Sequence, residues 1–439
     1  MRDRGLERAT AIGASWSLVI RASGMFVAFG VQTLLARQIG QEGYGRYVYV
    51  LAWMNIAMLF AKLEFDTLGL RFIGSYAGTG RWALLSGFLK KTQYLTLLLS
   101  AGTGALAAVA LVIARPYVDP ALFLAGLWAC ALLVPTALLT VQGGFLQGFQ
   151  RMVAAQAPQQ LLRPIAFGLA LSAFIWQLGA EVQAWHAVFA NLVATALAVG
   201  VSTYYLSHST PTGALAAEPE YDLPLWMRTS SGLMVIAGAQ LVIGMQSDVV
   251  IVGSMLGTAV AAVYSTASQV ATVVSFAPVA TTLIAIPQLA LLHAKRDMAA
   301  LQRLLQLMLL TTAAMTLPVL IAVIVFGHVL LGLFGEAFKA GYEVMFILSF
   351  SQAASAVVGI AGGYLLTMTG HERAAAKIIV STSILNLVLS VILTRWIGIT
   401  GAAFATCAAT LVRCAWLFVF AKRELKLNLL PLKWWQAAR

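Results

Sequence analysis

Charge is what this sequence has least of. Of its 439 residues only 10% are charged and 60% are hydrophobic, with a mean hydropathy of +0.86. A typical soluble domain carries about 25% charged residues. So few charges could not cover a chain of this length in water, and lipid must be the solvent for much of it. Cysteine is scarce too. Cys130, Cys407 and Cys414 all fall within apolar runs, with no CxxC and no Cys/His spacing of a metal site, so they read as small buried hydrophobes. The histidines, His186, His208, His293, His328 and His371, are scattered and suggest no catalytic cluster. Long external connections are missing as well, so none of them is expected to fold as a periplasmic domain.

What is present is a series of apolar runs. A helix needs about 20 such residues to cross the hydrocarbon core. Runs of that kind fall at 11–35, 47–62, 93–114, 121–147, 154–178 and 184–206, then at 229–254, 260–290, 301–327, 343–368, 376–394 and 399–421. The expected fold class is an all-α polytopic membrane protein of about twelve transmembrane helices. The N-terminal MRDRGLER runs straight into the first apolar segment with no compact cleavage signal, so it reads as a retained first helix.

The net charge of +12 could suggest nucleic acid, but the basic residues lie in short connections and not in a groove or tail. With the N-terminus placed in the cytoplasm, 20 of the 28 Lys and Arg fall inside. Only Arg37, Arg46, Arg115, Lys339 and Arg395 fall outside, and Arg21, Arg163 and Arg413 lie within spans. That is the positive-inside distribution, with both termini cytoplasmic, and no nucleic-acid partner is expected.

The expected organisation is an N-terminal six-helix lobe at 1–206, a flexible cytoplasmic linker at 207–228 carrying Pro211, Pro219 and Pro224, and a second six-helix lobe at 229–439. The second lobe ends in a short amphipathic tail, KRELKLNLLPLKWW, suited to the headgroup layer. The halves echo each other. Gly40 and Tyr47 in IGQEGYGRY pair with Gly257 and Tyr264 in LGTAVAAVY at offset 217. GFQR at 148–151 pairs with GHER at 370–373 at offset 222, and Gly179 pairs with Gly398 at offset 219. Six spans per half is an even number, so the halves read as parallel repeats around a central cavity, an architecture used for alternating access.

Several segments resemble the polysaccharide transporter family of Wzx-type oligosaccharide flippases, within the multidrug/oligosaccharidyl-lipid/polysaccharide exporter superfamily. They are LLARQIGQEGYGRYVYV (34–50), FLQGFQRM (145–152), SDVVIVGSMLGTAVAAVYSTASQV (247–270), GLFGEAF (332–338) and WIGITGAAFAT (396–406). The resemblance implies a flippase that moves an undecaprenyl-diphosphate-linked oligosaccharide from the cytoplasmic to the periplasmic leaflet of a bacterial inner membrane. The implied partners are that lipid-linked substrate, membrane lipids and other polysaccharide-assembly proteins. No catalytic residue, metal or bound cofactor is expected, with proton or sodium coupling left open.

Ionisable residues deep in a membrane cost about 2.5–3.5 kcal/mol on insertion scales and are functional candidates by default. Arg21 sits mid-span on a polar or small stripe with Ser17, Gly24, Ala28 and Gln32, leaving Phe26 and Phe29 to face elsewhere. Its guanidinium suits a diphosphate, or else caps carbonyls or pairs with a carboxylate. Arg163, followed by Pro164, and Arg413 each lie where snorkelling competes with lining a cavity. Asp248 follows Gln240 and Gly244 at i, i+4, i+8, as a coupling-cation site or a structural acceptor. Pro135, Pro278 and Pro318 mark expected bends, and Trp185 and Trp396 suit an aromatic belt.

Two other functions stay open on this reading. A cation-coupled multidrug exporter would share the fold, but three deep Arg against one Asp favour an anionic substrate. A membrane enzyme of polysaccharide assembly would need a positioned acid, base or metal, and no carboxylate cluster is visible.

Overall fold

The computed structural model describes residues 2–243, 245–276, 289, 292, 297–359, 362–363, 365–366 and 371–424, with the side chains of 2–18, 180, 242–243, 245 and 372 outside the description. Gly244, Pro278, His293, Gly370, the Ser17 side chain and the tail from Leu425 therefore lie outside the described residues. Every regular element among the described residues is helical. In lipid the backbone must satisfy its own polar groups, and a helix does so within one segment.

The first helix, α1, runs over Arg2–Lys62 and is broken at Gly40, where φ is 70° and ψ −179°. Then follow α2 (Phe65–Gly78), α3 (Trp82–Ile113) and α4 (Pro120–Gly148). The fifth span is composite: α5 (Met152–Ala157), a π turn (Pro158–Leu162) and α6 (Arg163–Leu178). After it come α7 (Ala184–Ser209), the short α8 (Thr212–Ala216), α9 (Leu223–Ile243), α10 (Met245–Leu256) and α11 (Thr258–Thr272). The last four are α12 (Met298–Gly332), α13 (Tyr342–Ala354) with a π turn at Ser355–Gly359, α14 (Glu372–Ile397) and α15 (Ile399–Arg423).

Among the described residues ten helices are long and apolar enough to span a membrane, or eleven when α9 and α10, bent by 51°, count as one. One of the ten, Val19–Gly78, is 60 residues long. At about 1.5 Å per residue it is some three times the thickness of a hydrocarbon core. The break at Gly40 divides it into two segments, which brings the count among the described residues to twelve when α9 and α10 are taken as one. The connection between the first two spans is thus a single residue. Its dihedrals lie in a region open essentially to glycine alone.

The repeat extends to the backbone. Gly257, the partner of Gly40 at offset 217, has φ 97° and ψ 159°. Gly179 and Gly398 have φ/ψ of 56°/−118° and 74°/−144°. Two further equivalences come from helix starts. Arg81 N–H donates to Tyr76 O at 3.0 Å, and Asp297 N–H to Leu292 O at 3.1 Å, an offset of 216. Arg151 N–H donates to Leu146 O at 2.9 Å, and His371 N–H to Leu366 O at 2.8 Å, an offset of 220. This corrects the GFQR/GHER pairing by two residues, because the register is set by where each helix restarts and not by the shared Gly and Arg.

The chain divides into two compact units, Met1–Gly238 and Ala239–Arg439. The polar stretch expected as a flexible linker packs onto the first of them. It forms α8, and Glu220 N–H donates to Ala83 O at 3.0 Å. Trp226 is fully buried, donates from Nε1 to the Tyr76 hydroxyl at 3.1 Å, and meets Phe88 edge-on at 5.2 Å. Its neighbours Phe65, Leu68, Phe72, Leu85 and Phe145 form one core cluster.

Candidate functional site

In unit 1 the first and fifth spans run side by side and parallel. A Cβ added to Gly24 would fall 2.0 Å from Gln160 O, and one added to Gly168 would fall 2.8 Å from Val31 Cγ2. The backbone of the π turn can approach α1 so closely only because residue 24 is glycine. Pro164 has no N–H to offer the Gln160 carbonyl in α-helical register, and that carbonyl lies against Gly24. From Arg21 onward the stripe expected on the first helix therefore faces the interior of unit 1, and Phe26 on the other side is exposed.

Arg163 is the first residue after the π turn. Its Nε–H donates to Asn191 Oδ1 on α7 at 3.2 Å. An arginine can only donate, so the Asn191 oxygen is fixed on this side and its Nδ2 faces the other way. There it donates to the Tyr47 hydroxyl at 3.3 Å. Tyr47 is fully buried and stacks on Phe167 at 6.2 Å with the rings 8° from parallel. Gln32 on the first span adds a hydrogen bond to the same phenol, and Thr195 Oγ1 lies 3.3 Å from Asn191 Oδ1. Arg163 is part-buried, and among the described residues its two Nη groups meet no acceptor.

The register of the two parallel spans sets Arg163 level with about residue 27, so it lies roughly 9 Å beyond Arg21 along the axis. Arg21 is part-buried too, and its Nε is buried with no partner among the described residues.

In unit 2 the corresponding cluster surrounds Asp248, which has no exposed surface. Its Oδ2 accepts from the Tyr264 hydroxyl at 2.8 Å and from Thr406 Oγ1 at 2.5 Å. Its Oδ1 accepts from Ser390 Oγ at 3.0 Å. Asn386 Oδ1 lies 3.2 Å from Thr406 Oγ1 and 3.5 Å from Ser390 Oγ. Gln240 stands apart: it is exposed, and the helix bends between it and Asp248. The expected Gln240–Gly244–Asp248 stripe is thus not carried through, because a bend rotates one half of a helix relative to the other. Arg413 is part-buried and donates from Nη2 to Ser355 Oγ in the second π turn at 3.0 Å.

The structure brings Arg21, Arg163 and Gln32 together on neighbouring spans of unit 1, and places Arg413, Asp248 and Gln240 in unit 2. Sequence reasoning missed Asn191, Asn386, Ser390 and Thr406. It noted Tyr47 and Tyr264 only as repeat markers. An available signal was Asn191 and Asn386, amides deep in apolar runs, where polar side chains bond between helices.

Among the described residues, apolar helices long enough to span a membrane, in two repeats that each enclose a polar cluster, define a polytopic membrane protein. The chain belongs to the polysaccharide biosynthesis protein family, whose model matches residues 11–293. A relative in Haloferax volcanii, described as a probable low-salt glycan biosynthesis flippase, Agl15, is 28% identical over 160 residues. That match covers 36% of this chain and only 34% of the relative. Among solved structures, an inward-facing multidrug resistance MATE family transporter of the MOP superfamily has a TM-score of 0.67 at 14% identity, covering 93% of this chain and 98% of the other. The Vibrio cholerae MATE transporter VcmN has a TM-score of 0.65 at 15% identity, covering 96% and 98%. A MOP superfamily transporter from Pyrococcus furiosus, described as having a binding pocket of reverse polarity, has a TM-score of 0.59 at 15% identity, covering 91% and 94%. At these identities the likeness is one of fold.

Proposed function

We propose that the protein is a flippase that carries an undecaprenyl-diphosphate-linked oligosaccharide from the cytoplasmic to the periplasmic leaflet by alternating access. The observation that carries this reading is Arg163. A guanidinium held inside an apolar lobe, with its terminal nitrogens unpaired among the described residues, is costly unless it serves an anion. A diphosphate offers the oxygen pairs a guanidinium binds bidentately. Arg21, roughly 9 Å along the same seam, gives the headgroup a second cation, and Gln32 is a polar group for the sugars. Membership of a polysaccharide biosynthesis family supports the substrate class.

Deletion of the gene in its source organism tests this reading. Undecaprenyl-diphosphate-linked glycan accumulates on the cytoplasmic side and surface polysaccharide falls; wild type restores both, and Arg21→Ala does not. Unchanged pools would sink the flippase reading and turn attention to drug export. In this reading the protein is a multi-pass component of a bacterial inner membrane with both termini cytoplasmic, working beside other polysaccharide-assembly proteins. Phosphatase fusions at Glu424 stay inactive if the orientation is right.

A second reading, a cation-coupled multidrug exporter, draws on the fold likeness and on the Asp248 carboxylate. Asp248 is already encircled by three hydroxyl donors and has no exposed surface, which suits a small coupling ion or a helix-locking acceptor better than a drug cation. In liposomes, Asp248→Asn abolishes the response of flux to an imposed proton or sodium gradient if the site is coupling. It leaves that response intact if Asp248 only fastens helices.

A further inference from the structure

Arg163 sits in an unusual electrostatic position. No carboxylate accompanies it among its described contacts; its one hydrogen bond is to a neutral amide, which in turn is held by a phenol. A guanidinium has five N–H donors, and Asn191 takes only Nε–H, leaving the four on Nη1 and Nη2. A carboxylate at position 191 would hold the side chain equally well but would cancel its charge. An apolar residue there would leave the long side chain free to snorkel. An amide does neither. It fixes the plane of the guanidinium and leaves its full charge available.

The amide needs fixing in turn, because an asparagine can rotate by half a turn and present its NH2 to the arginine. The Tyr47 hydroxyl accepts from Nδ2, and the Thr195 hydroxyl donates to the Asn191 backbone carbonyl at 2.6 Å, so the productive orientation is held through Tyr47. Tyr47 is clamped by the Phe167 ring and follows the sharp turn at Gly40 by two helical turns. The chain of contacts thus runs from the second span through the sixth to the fifth, and ends on the four unpaired N–H groups of Arg163.

We infer that Asn191 and Tyr47 are positioning residues, which hold the Arg163 guanidinium uncompensated and in one plane so that its Nη edge receives the phosphate oxygens of an anionic lipid headgroup. This rests on the flippase reading and adds to it the residues that make Arg163 competent. The shared chemistry is a phosphate on a lipid. Its two sources are the polyprenyl diphosphate of a substrate and the phosphodiester of a bulk phospholipid.

The experiment uses the full chain in nanodiscs of neutral phosphatidylcholine. Binding of undecaprenyl diphosphate is titrated, with undecaprenol as the uncharged control and phosphatidylglycerol as the competing bulk lipid. The variants are Arg163→Ala, Asn191→Ala, Asn191→Asp, Tyr47→Phe and the two double variants with Arg163→Ala. Wild type binds the diphosphate in preference to undecaprenol and to phosphatidylglycerol. Asn191→Ala weakens that binding about tenfold and Tyr47→Phe about threefold, and neither change has any effect once Arg163 is alanine. Asn191→Asp is the decisive variant. It raises the melting temperature by pairing with Arg163, yet weakens binding at least as much as Asn191→Ala.

Equal losses from Asn191→Ala with and without Arg163 would make the amide a packing residue and overturn the inference, with the flippase reading intact. Unchanged binding in Asn191→Asp would do the same. Displacement by phosphatidylglycerol at matched concentration would make bulk phospholipid the source of the phosphate and overturn the flippase reading of Arg163, with Asn191 and Tyr47 still its positioning residues. If wild type failed to distinguish undecaprenyl diphosphate from undecaprenol, the inference and the flippase reading would fall together.

Discussion

The two units draw their polar clusters from equivalent helices and fill them with opposite charge. In unit 1 the first, second, fifth and sixth spans contribute Gln32, Tyr47, Arg163 and Asn191; in unit 2 the seventh, eighth, eleventh and twelfth contribute Asp248, Tyr264, Ser390 and Thr406. Each cluster is built round the same tyrosine of the repeat. The difference lies in how far the charge is satisfied. Asp248 accepts from three hydroxyls, each such bond to a charged group being worth about 1.5–3 kcal/mol against a desolvation cost of several. Arg163 gives one hydrogen bond to a neutral amide and keeps four N–H groups in reserve. One cluster is closed on itself and the other is open to an anion. The repeat therefore dictates where a polar site is built, while its side chains decide whether the site fastens helices or receives a ligand.

The largest effect expected from disturbing that contrast is at Asp248. Asp248→Ala leaves the hydroxyls of Tyr264, Thr406 and Ser390 buried without their acceptor, at about 1–3 kcal/mol each. Folded yield in detergent collapses, whereas Arg163→Ala at the open cluster leaves it nearly unchanged. Comparable yields for the two variants would erase the distinction between closed and open. Next in size are the breaks that define the repeat. Gly40→Ala and Gly257→Ala each force a side chain into a glycine-only region, at about 1–3 kcal/mol. The two should lower the melting temperature alike, and a large inequality would mean that the matching dihedrals do not carry matching strain. Smallest is the difference within the pair of tyrosines. Tyr264→Phe removes a donor to a carboxylate and costs about 1.5–3 kcal/mol, while Tyr47→Phe removes an acceptor for an amide and costs about 1. Thermal melts that reversed this order would put the stronger bond in the wrong unit.

Much of this architecture is legible in the amino acids. The apolar runs become an all-helical, multi-span chain, and the offset that pairs Gly40 with Gly257 also pairs two broken helices and two buried tyrosines. Arg21, Arg163, Arg413 and Asp248 stand out because charge in lipid is costly wherever it lies. Their partners do not stand out. Asn191 meets Tyr47 across 144 residues, and Thr406 meets Asp248 across 158. Such meetings depend on the rotation of each helix, which two π turns and a 51° bend reset. Periodicity counted along an ideal helix cannot follow those resets, which is why Gln240 and Asp248 are assigned one stripe by spacing and none by the fold. Composition misleads in a different way at 207–228, where prolines and acidic residues conceal the one tryptophan that anchors the segment.

That tryptophan bears on how the chain could be expressed in pieces. Polarity invites a cut at 217–219, in the exposed stretch before Asp222. The upstream piece would then lack Leu223 and Trp226, leaving an indole-sized socket beneath Phe88. The downstream piece would carry the same indole as a sticky end. A split-protein design, a loop-inserted reporter or a protease site placed there separates a plug from its socket, and only pieces that keep Trp226 with α3 preserve the fit.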